Sequence, residues 1–186
     1  MKKLILPMLT LFCLLGTLNV HAQVDATLNP IGLLFGDFNV GADFALANNF
    51  SVELGVGIGT SKVNDVKGNN FPVNVVGKFY VSPKHGTDRF YVDAFLRYVN
   101  RQWNYDDGAD FVDYTSNRFG VGFGLGYKAV SRKGFVFDIG FGVGRALIDN
   151  NVFKDDNGNR EAVEWPGVMF LGKLGIGYRF GGSKDR

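Results

Sequence analysis

Histidine is the side chain that moves protons most readily near neutral pH, and this chain has very little of it. The sequence contains two histidines, His21 and His85, and one cysteine, Cys13. His85 lies in the run Pro83-Lys84-His85-Gly86, which is typical of a solvated turn. His21 and Cys13 lie in an N-terminal segment that we expect to be removed. The sequence therefore predicts no catalytic site, no enzyme activity and no cofactor.

Acidic side chains are the other candidates for chemistry, and they cluster in two polar stretches. Residues 104–117 carry a net charge of −4, and residues 146–165 carry −3. The run 155–159 reads Asp-Asp-Asn-Gly-Asn, but the glycine and glutamate of a calcium loop are not at their required positions. We predict no metal site and interpret both stretches as solvated loops through which a surface partner could bind. Weak bridging of divalent cations to anionic lipid is the alternative.

The rest of the chain alternates between large apolar residues and small or polar ones. Four glycines occupy the even positions from 120 to 126, and large apolar residues occupy the odd positions from 119 to 127. The same period of two returns over 50–59 and 135–144. Because successive side chains of a strand point to opposite faces, this pattern predicts an all-β chain.

We predict eight strands, joined alternately by short turns and by longer polar loops. The strands span residues 25–34, 38–46, 50–59, 71–81, 89–103, 118–128, 135–145 and 166–180. The longer loops are 60–70, 104–117 and 146–165. Strands of about ten residues joined in this way are typical of an eight-stranded antiparallel up-and-down transmembrane β-barrel.

The composition of the two strand faces decides which face turns inward. In a soluble barrel the glycine-rich face would be exposed to water. This would leave the backbone uncovered and weaken the strand without any compensating contact. We therefore expect the apolar face to contact lipid and the small and charged face to fill a narrow lumen. Charges in such a lumen must pair with one another. The predicted lumen charges are Asp43, Glu53, Lys78, Asp93, Arg97, Arg101, Asp138, Lys173 and Arg179.

The N-terminal segment has the features of a secretory signal peptide. Met1-Lys2-Lys3 is basic, an apolar run follows from Leu4 to Leu18, and Val20-His21-Ala22 provides a cleavage site. The apolar run of 15 residues is too short to span a membrane comfortably. We predict a signal peptide over 1–22 and one barrel domain over 23–186. A retained membrane anchor is the alternative.

The overall charge argues against a nucleic-acid partner. The sequence has 20 Lys and Arg against 18 Asp and Glu, and two of the lysines lie in the predicted signal peptide. The remaining chain is neutral, so it lacks the basic excess that binding to a phosphate backbone requires.

The last strand carries a pattern found in outer-membrane proteins. Residues 173–180 resemble the β-signal, with Lys173 as the polar residue, Gly175 two positions later, and Tyr178 and Phe180 as the aromatic pair. The whole mature chain resembles small eight-stranded outer-membrane barrels of the OmpA-transmembrane and OmpX type, in an uncharacterised subfamily. This resemblance implies location in the outer membrane, contact with its lipid, and insertion by the barrel-assembly machinery.

The sequence therefore predicts an integral outer-membrane barrel with a structural or surface-interaction role. A narrow pore or a small-ligand-binding barrel is the alternative, and it needs a continuous polar lumen. Tyr91 and Phe95 share the inward parity and argue for a filled lumen instead. A soluble secreted barrel would need the opposite orientation of the two faces.

Overall fold

The protein, seen in a computed structural model, is built almost entirely of antiparallel strands. The structure describes residues 23–34, 36–63, 66–106, 111–154, 160–162 and 166–181, so the predicted signal peptide lies outside the described residues. The elements are β1 (Val24–Leu28), α1 (Pro30–Leu34), β2 (Asp37–Ala47), β3 (Phe50–Val63), β4 (Val66–Tyr80), β5 (Arg89–Asp106), β6 (Phe111–Val130), β7 (Phe135–Lys154), β8 (Arg160–Ala162) and β9 (Val168–Phe180). Over the described ranges, no helix has the length and apolar character needed to cross a membrane.

Eight of the strands close into a ring. Each strand from β1 to β6 pairs antiparallel with the next one, β7 pairs with β9, and β9 returns to β1. Strand β8 lies outside the ring and pairs with the last residues of β7. The predicted fold class, an all-β chain forming an eight-stranded antiparallel barrel, is confirmed.

The strands of the ring are staggered relative to one another. Moving from partner to partner around the ring, a path that starts at Phe180 returns to Phe170, ten residues away on the same strand. The path passes through Val24, Phe44, Val52, Gly77, Ala94, Phe123 and Val143. This stagger over eight strands corresponds to a strand tilt of roughly 40° and an interior just wide enough for side chains.

The two faces of the wall have the orientation that the alternating pattern predicted. Phe123 and Phe141 point outward and are 74% and 57% exposed. The glycines that alternate with the outward residues on β6 and β7 point inward. A Cβ on Gly122 or Gly142 would overlap the ring of Phe95. The glycine row on β6 and β7 therefore provides the room that an inward-pointing aromatic ring needs.

An apolar band surrounds the barrel. On β5 the outward side chains are apolar from Phe90 to Tyr98 and become amides from Asn100 to Asn104. Eight residue steps of about 3.3 Å, tilted by roughly 40°, give a band about 20 Å tall. This is close to the band of about 25 Å found on outer-membrane barrels.

The first strand is shorter than the predicted strand over 25–34. It ends at Leu28, and residues Pro30–Leu34 form the helix α1. Pro30 has no N–H to donate to a neighbouring strand, and its fixed φ suits the first turn of a helix. The side chain of Asn29 accepts a hydrogen bond from the N–H of Gly32 at 3.1 Å, as an N-terminal cap does.

The three predicted loops are largely strand. The stretches 60–70, 104–117 and 146–165 were expected to be loops, but β3 to β7 extend through most of them as long hairpins. We call this end of the barrel the hairpin end and the opposite end, with its short turns, the turn end. At the hairpin end neither strand face is uniformly apolar, so the period of two disappears while backbone pairing continues.

Candidate functional site

A continuous chain of ion pairs fills the lumen near the turn end. Arg179 donates to the two carboxylate oxygens of Asp25 at 2.6 and 2.8 Å. Lys128 then bridges Asp25 at 2.9 Å and Asp43 at 2.5 Å. The side chains of Asp25, Lys128 and Asp43 are almost fully buried. The pairing therefore compensates charges that water cannot reach.

Lys78 is the centre of the network. Its ammonium donates to Asp43 at 2.8 Å, to Glu53 at 2.5 Å and to Asp138 at 2.8 Å. Lys173 completes the group by donating to Asp138 at 2.6 Å and to Glu53. Carboxylate oxygens of Asp43, Glu53 and Asp138 lie within 4.8 Å of one another, a spacing that could hold a metal ion. The ammonium of Lys78 occupies that central position instead.

The network is electrically balanced and spans the ring. Seven of the eight ring strands contribute to it, and the Asp25–Arg179 pair joins the first strand to the last. Its four carboxylates match its four cations, so no net charge is buried. The members are Asp25, Asp43, Glu53, Asp138, Lys78, Lys128, Lys173 and Arg179.

Two tyrosines pack over the buried cations. The ring of Tyr91 lies 4.9 Å from the ammonium of Lys78, and the ring of Tyr80 lies 5.3 Å from that of Lys128. The Tyr91 hydroxyl donates to Asp138 at 2.8 Å. These contacts add a cation–π attraction to the ion pairs of both lysines.

The turn between β4 and β5 covers the turn end of the lumen. Arg179 donates to the backbone carbonyls of His85 at 2.7 Å and Thr87 at 2.9 Å. Thr87 and Asp88 are buried, whereas the His85 side chain is 54% exposed and lies 3.4 Å from Asp88. His85 therefore sits in a turn at the surface, as its sequence context predicted.

A buried apolar layer lies on the hairpin side of the network. Val76 and Phe95 are register partners on β4 and β5, and both are almost fully buried. Met169 on β9 is buried as well, and a Cβ on Gly120 would overlap its sulfur. Together with the network, this layer fills the lumen with side chains.

Three of the predicted lumen charges lie outside the network. Asp93 is partly buried, and one of its carboxylate oxygens has no hydrogen-bond partner. Arg97 donates to the side chain of Asn74 at 2.9 Å instead of to a carboxylate. Arg101 is exposed toward the hairpin end. The other six, Asp43, Glu53, Lys78, Asp138, Lys173 and Arg179, meet as described above.

Sequence reasoning missed two members of the network, Asp25 and Lys128. Lys128 continues the even-numbered row that Gly120 to Gly126 begin, so its parity already placed it inside. Asp25 shares its face with the buried Thr27 on the short strand β1. For both residues, an even or odd position on the strand was the signal that placed them inside the barrel. Both lie near the end of a strand, where the hydrophobic pattern is weakest.

The residues of the proposed assembly signal divide between the two faces of β9. Gly175 and Lys173 point inward, whereas Tyr178 and Phe180 are exposed on the outer face. The ring of Tyr178 contacts Phe180 at 5.2 Å and Phe135 at 6.0 Å between centroids. An aromatic patch therefore marks the end of the last strand. Its recognition by an assembly machine stays a prediction.

Comparison with known proteins identifies the fold. No protein-family model matches the chain, and no curated protein matches it. A solved structure of a major outer membrane protein from Thermus thermophilus is similar, with a TM-score of 0.57 and 20% sequence identity. The alignment covers 86% of this chain and 98% of that chain. The chain has the fold of a membrane β-barrel. Its resemblance to the OmpA and OmpX type in particular stays a prediction.

Proposed function

We propose that the protein is an integral outer-membrane β-barrel with a structural or surface-interaction role and no catalytic activity. One observation carries this proposal, the inverted distribution of apolar and charged side chains. Phe135 and Phe170 are 63% and 61% exposed, whereas Lys78 and Lys128 have no exposed surface. An apolar surface that continues around the whole wall would make a water-soluble protein aggregate. In a bilayer the same surface is fully solvated by lipid.

The filled lumen supports a role that does not depend on transport. The charge network is neutral and fully connected, and Phe95 with its apolar neighbours lies directly beside it. A narrow pore would need a continuous water-filled path between the two ends. This packing favours a closed barrel over the alternative of a pore or an internal ligand site.

The long hairpins support a role at the membrane surface. Strands β5, β6 and β7 have 18 to 20 residues, about twice what is needed to cross an outer membrane. They extend the wall beyond the apolar band into a region with outward amide side chains. We propose that a surface partner binds there, through the regions 104–117 and 146–165.

Insertion by the barrel-assembly machinery is part of the same proposal. The aromatic pair of Tyr178 and Phe180 is exposed at the end of the strand that closes the ring. An exposed aromatic pair on the closing strand is accessible to a protein that binds this strand before the ring closes.

Cell fractionation tests the proposal. We expect the mature protein in the outer-membrane fraction, resistant to carbonate extraction, and shifted in apparent mass on a gel only after boiling. Boiling matters because a lipid-embedded barrel with all strands paired resists detergent at room temperature. Recovery of the protein in the soluble fraction would contradict the proposal.

A further inference from the structure

Two arginines lie on the hairpin side of the buried apolar layer without a carboxylate partner. Arg97 and Arg101 both belong to the inner face of β5, and Arg101 lies close enough to Arg97 to repel its charge. Arg97 is partly buried and donates to the neutral side chain of Asn74 at 2.9 Å. Over the described ranges, no carboxylate forms an ion pair with either arginine. These two charges therefore lack the compensation that every lysine of the network has.

The inward carboxylates near this pair are engaged or distant. Val99 lies between the two arginines and pairs with Arg118, which in turn pairs with Asp149 on β7. The guanidinium of Arg118 already donates to Asp149 at 2.9 Å. Asp37 on β2 is three strands away from Arg101 in the register. Within the part of the chain that the structure describes, this end of the lumen thus carries an excess of positive charge.

An indole ring lies beside Arg101 on the same inner face. Trp103 is the next inward residue of β5 toward the hairpin end, and Gly68 on β4 is its register partner. Three atoms of the indole would lie 3.3–3.5 Å from a Cβ on Gly68, so one face of the ring covers this glycine. The Trp103 side chain is still 41% exposed. The other face of the indole is therefore available to a planar or ring-shaped group.

A buried acceptor between these groups also lacks a partner. Asn70 on β4 is the register partner of Arg101. Its Oδ1 is buried and has no hydrogen bond among the described residues. A buried amide oxygen costs free energy unless a donor reaches it. A hydroxyl group on a bound molecule would provide that donor.

We infer that this end of the lumen binds a small organic acid that carries a ring. Its carboxylate or phosphate would accept hydrogen bonds from Arg97 and Arg101, because guanidinium groups bind such anions through charge-assisted, often paired hydrogen bonds. Its ring would pack on the free face of Trp103, and a hydroxyl group would donate to Asn70. Binding sites for small molecules commonly combine an aromatic wall with a few polar groups in this way.

The inferred site leaves the lumen filled beneath it. The apolar layer with Phe95 lies on the turn side of Arg97, so the acid would enter and leave at the hairpin end. The inference deepens the proposed surface role by naming the chemical class of the partner. It rests on that role, because the ligand must reach the hairpin end from outside the membrane.

Trp103 itself provides the measurement. In a Trp165→Phe background it is the only tryptophan, and its fluorescence is quenched by iodide, an anion, or by acrylamide, which is neutral. Arg101→Gln removes a positive charge beside the indole. Arg145→Gln is the matched control, because Arg145 is exposed on the outer face of β7 between the outward residues Val121 and Val168. All proteins are compared in detergent micelles at constant ionic strength, and the heat-dependent gel shift checks their folding.

We expect R101Q to lower the ratio of iodide quenching to acrylamide quenching about fivefold, the effect of one unit charge at about 4 Å in water. R145Q should leave the ratio unchanged. Glucuronate and benzoate should protect Trp103 from iodide at lower concentrations than acetate, which has no ring. The order of glucuronate and benzoate then distinguishes a hydroxylated sugar acid from an aromatic acid.

Three results would overturn the inference. Equal ratios in R101Q and R145Q would exclude an anion site at Arg101, and so would a lack of protection by all three acids. Acetate that protects as well as the ring-bearing acids would exclude the role of Trp103. Any of these results with an intact heat-dependent gel shift would leave the proposed barrel itself unaffected.

Discussion

Lys78 is the residue on which the lumen network depends most, because its ammonium is the shared partner of three carboxylates. All three of its N–H donors are used, and its side chain has no exposure. Removing one partner of a buried ion pair leaves the other charge uncompensated in a low-dielectric interior. Lys78 thus neutralises the acidic cluster as a bound cation would elsewhere.

Replacing this lysine should destabilise the barrel strongly. We expect Lys78→Met to lower the free energy of unfolding by about 3–5 kcal/mol, because three buried carboxylates lose their common cation. Guanidinium unfolding in detergent micelles measures the change. Arg101→Gln is the control, since Arg101 is exposed, and it should change stability by less than about 0.5 kcal/mol. Equal effects of the two substitutions would show that the network does not stabilise the fold.

The glycine row can be tested at a single contact. A Cβ on Gly140 would lie 2.6 Å from the Tyr91 hydroxyl oxygen, whereas the nearest backbone atom would be 3.4 Å away. We expect Gly140→Ala to cost about 1–3 kcal/mol in the wild type and clearly less in a Tyr91→Phe background, which lacks that hydroxyl. A double-mutant cycle of unfolding free energies measures the difference. The same cost in both backgrounds would contradict this explanation of the glycine.

At the scale of the elements, the alternating pattern predicted the middle of the strands better than their ends. The period of two is strong from Phe119 to Tyr127 because one face is apolar and exposed and the other is crowded by Tyr91 and Phe95. In the hairpins neither face is uniformly apolar, so the alternating pattern gives no signal there. Around Pro30 the apolar residues predicted a strand, but the missing N–H and the Asn29 cap produce a helix.

The closing strand β9 also carries a prediction about assembly. We expect Tyr178→Ala/Phe180→Ala to reduce the amount of heat-modifiable protein in the outer membrane several-fold, because the aromatic pair would no longer be recognised. Phe123→Ala/Phe141→Ala is the control, since it removes two outward aromatic rings elsewhere in the band. The folded and unfolded bands on an unboiled gel provide the measurement. A similar loss in both variants would indicate that lipid-facing area, not a signal, matters.

At the scale of the whole molecule, closure of the ring decides which charges meet. Parity in the sequence predicted which residues face the lumen, and six of the nine predicted charges lie in the network. An even or odd position on a strand does not give the position of a residue along the barrel axis. That position depends on the stagger of ten residues, which is set only once the ring is closed. For this reason Asp93 and Arg97 face inward without joining an ion pair.

The side chains buried in the lumen lead to a prediction about conductance. We expect the refolded protein to give no steady single-channel currents in planar bilayers, because buried ion pairs and the Phe95 layer occupy the lumen over the part of the chain that the structure describes. The heat-dependent gel shift of the same sample verifies that the barrel is folded. Steady currents from such a sample would favour the narrow-pore alternative.

Fluorescence quenching tests the orientation of the wall most directly. Phe123→Trp is placed in a background where Trp103 and Trp165 are replaced by Phe, so that the new indole is the only one. Phe123 is 74% exposed on the outer face, so we predict strong quenching by lipids brominated on their acyl chains and little quenching by acrylamide in water. Strong acrylamide quenching without an effect of brominated lipid would contradict the account.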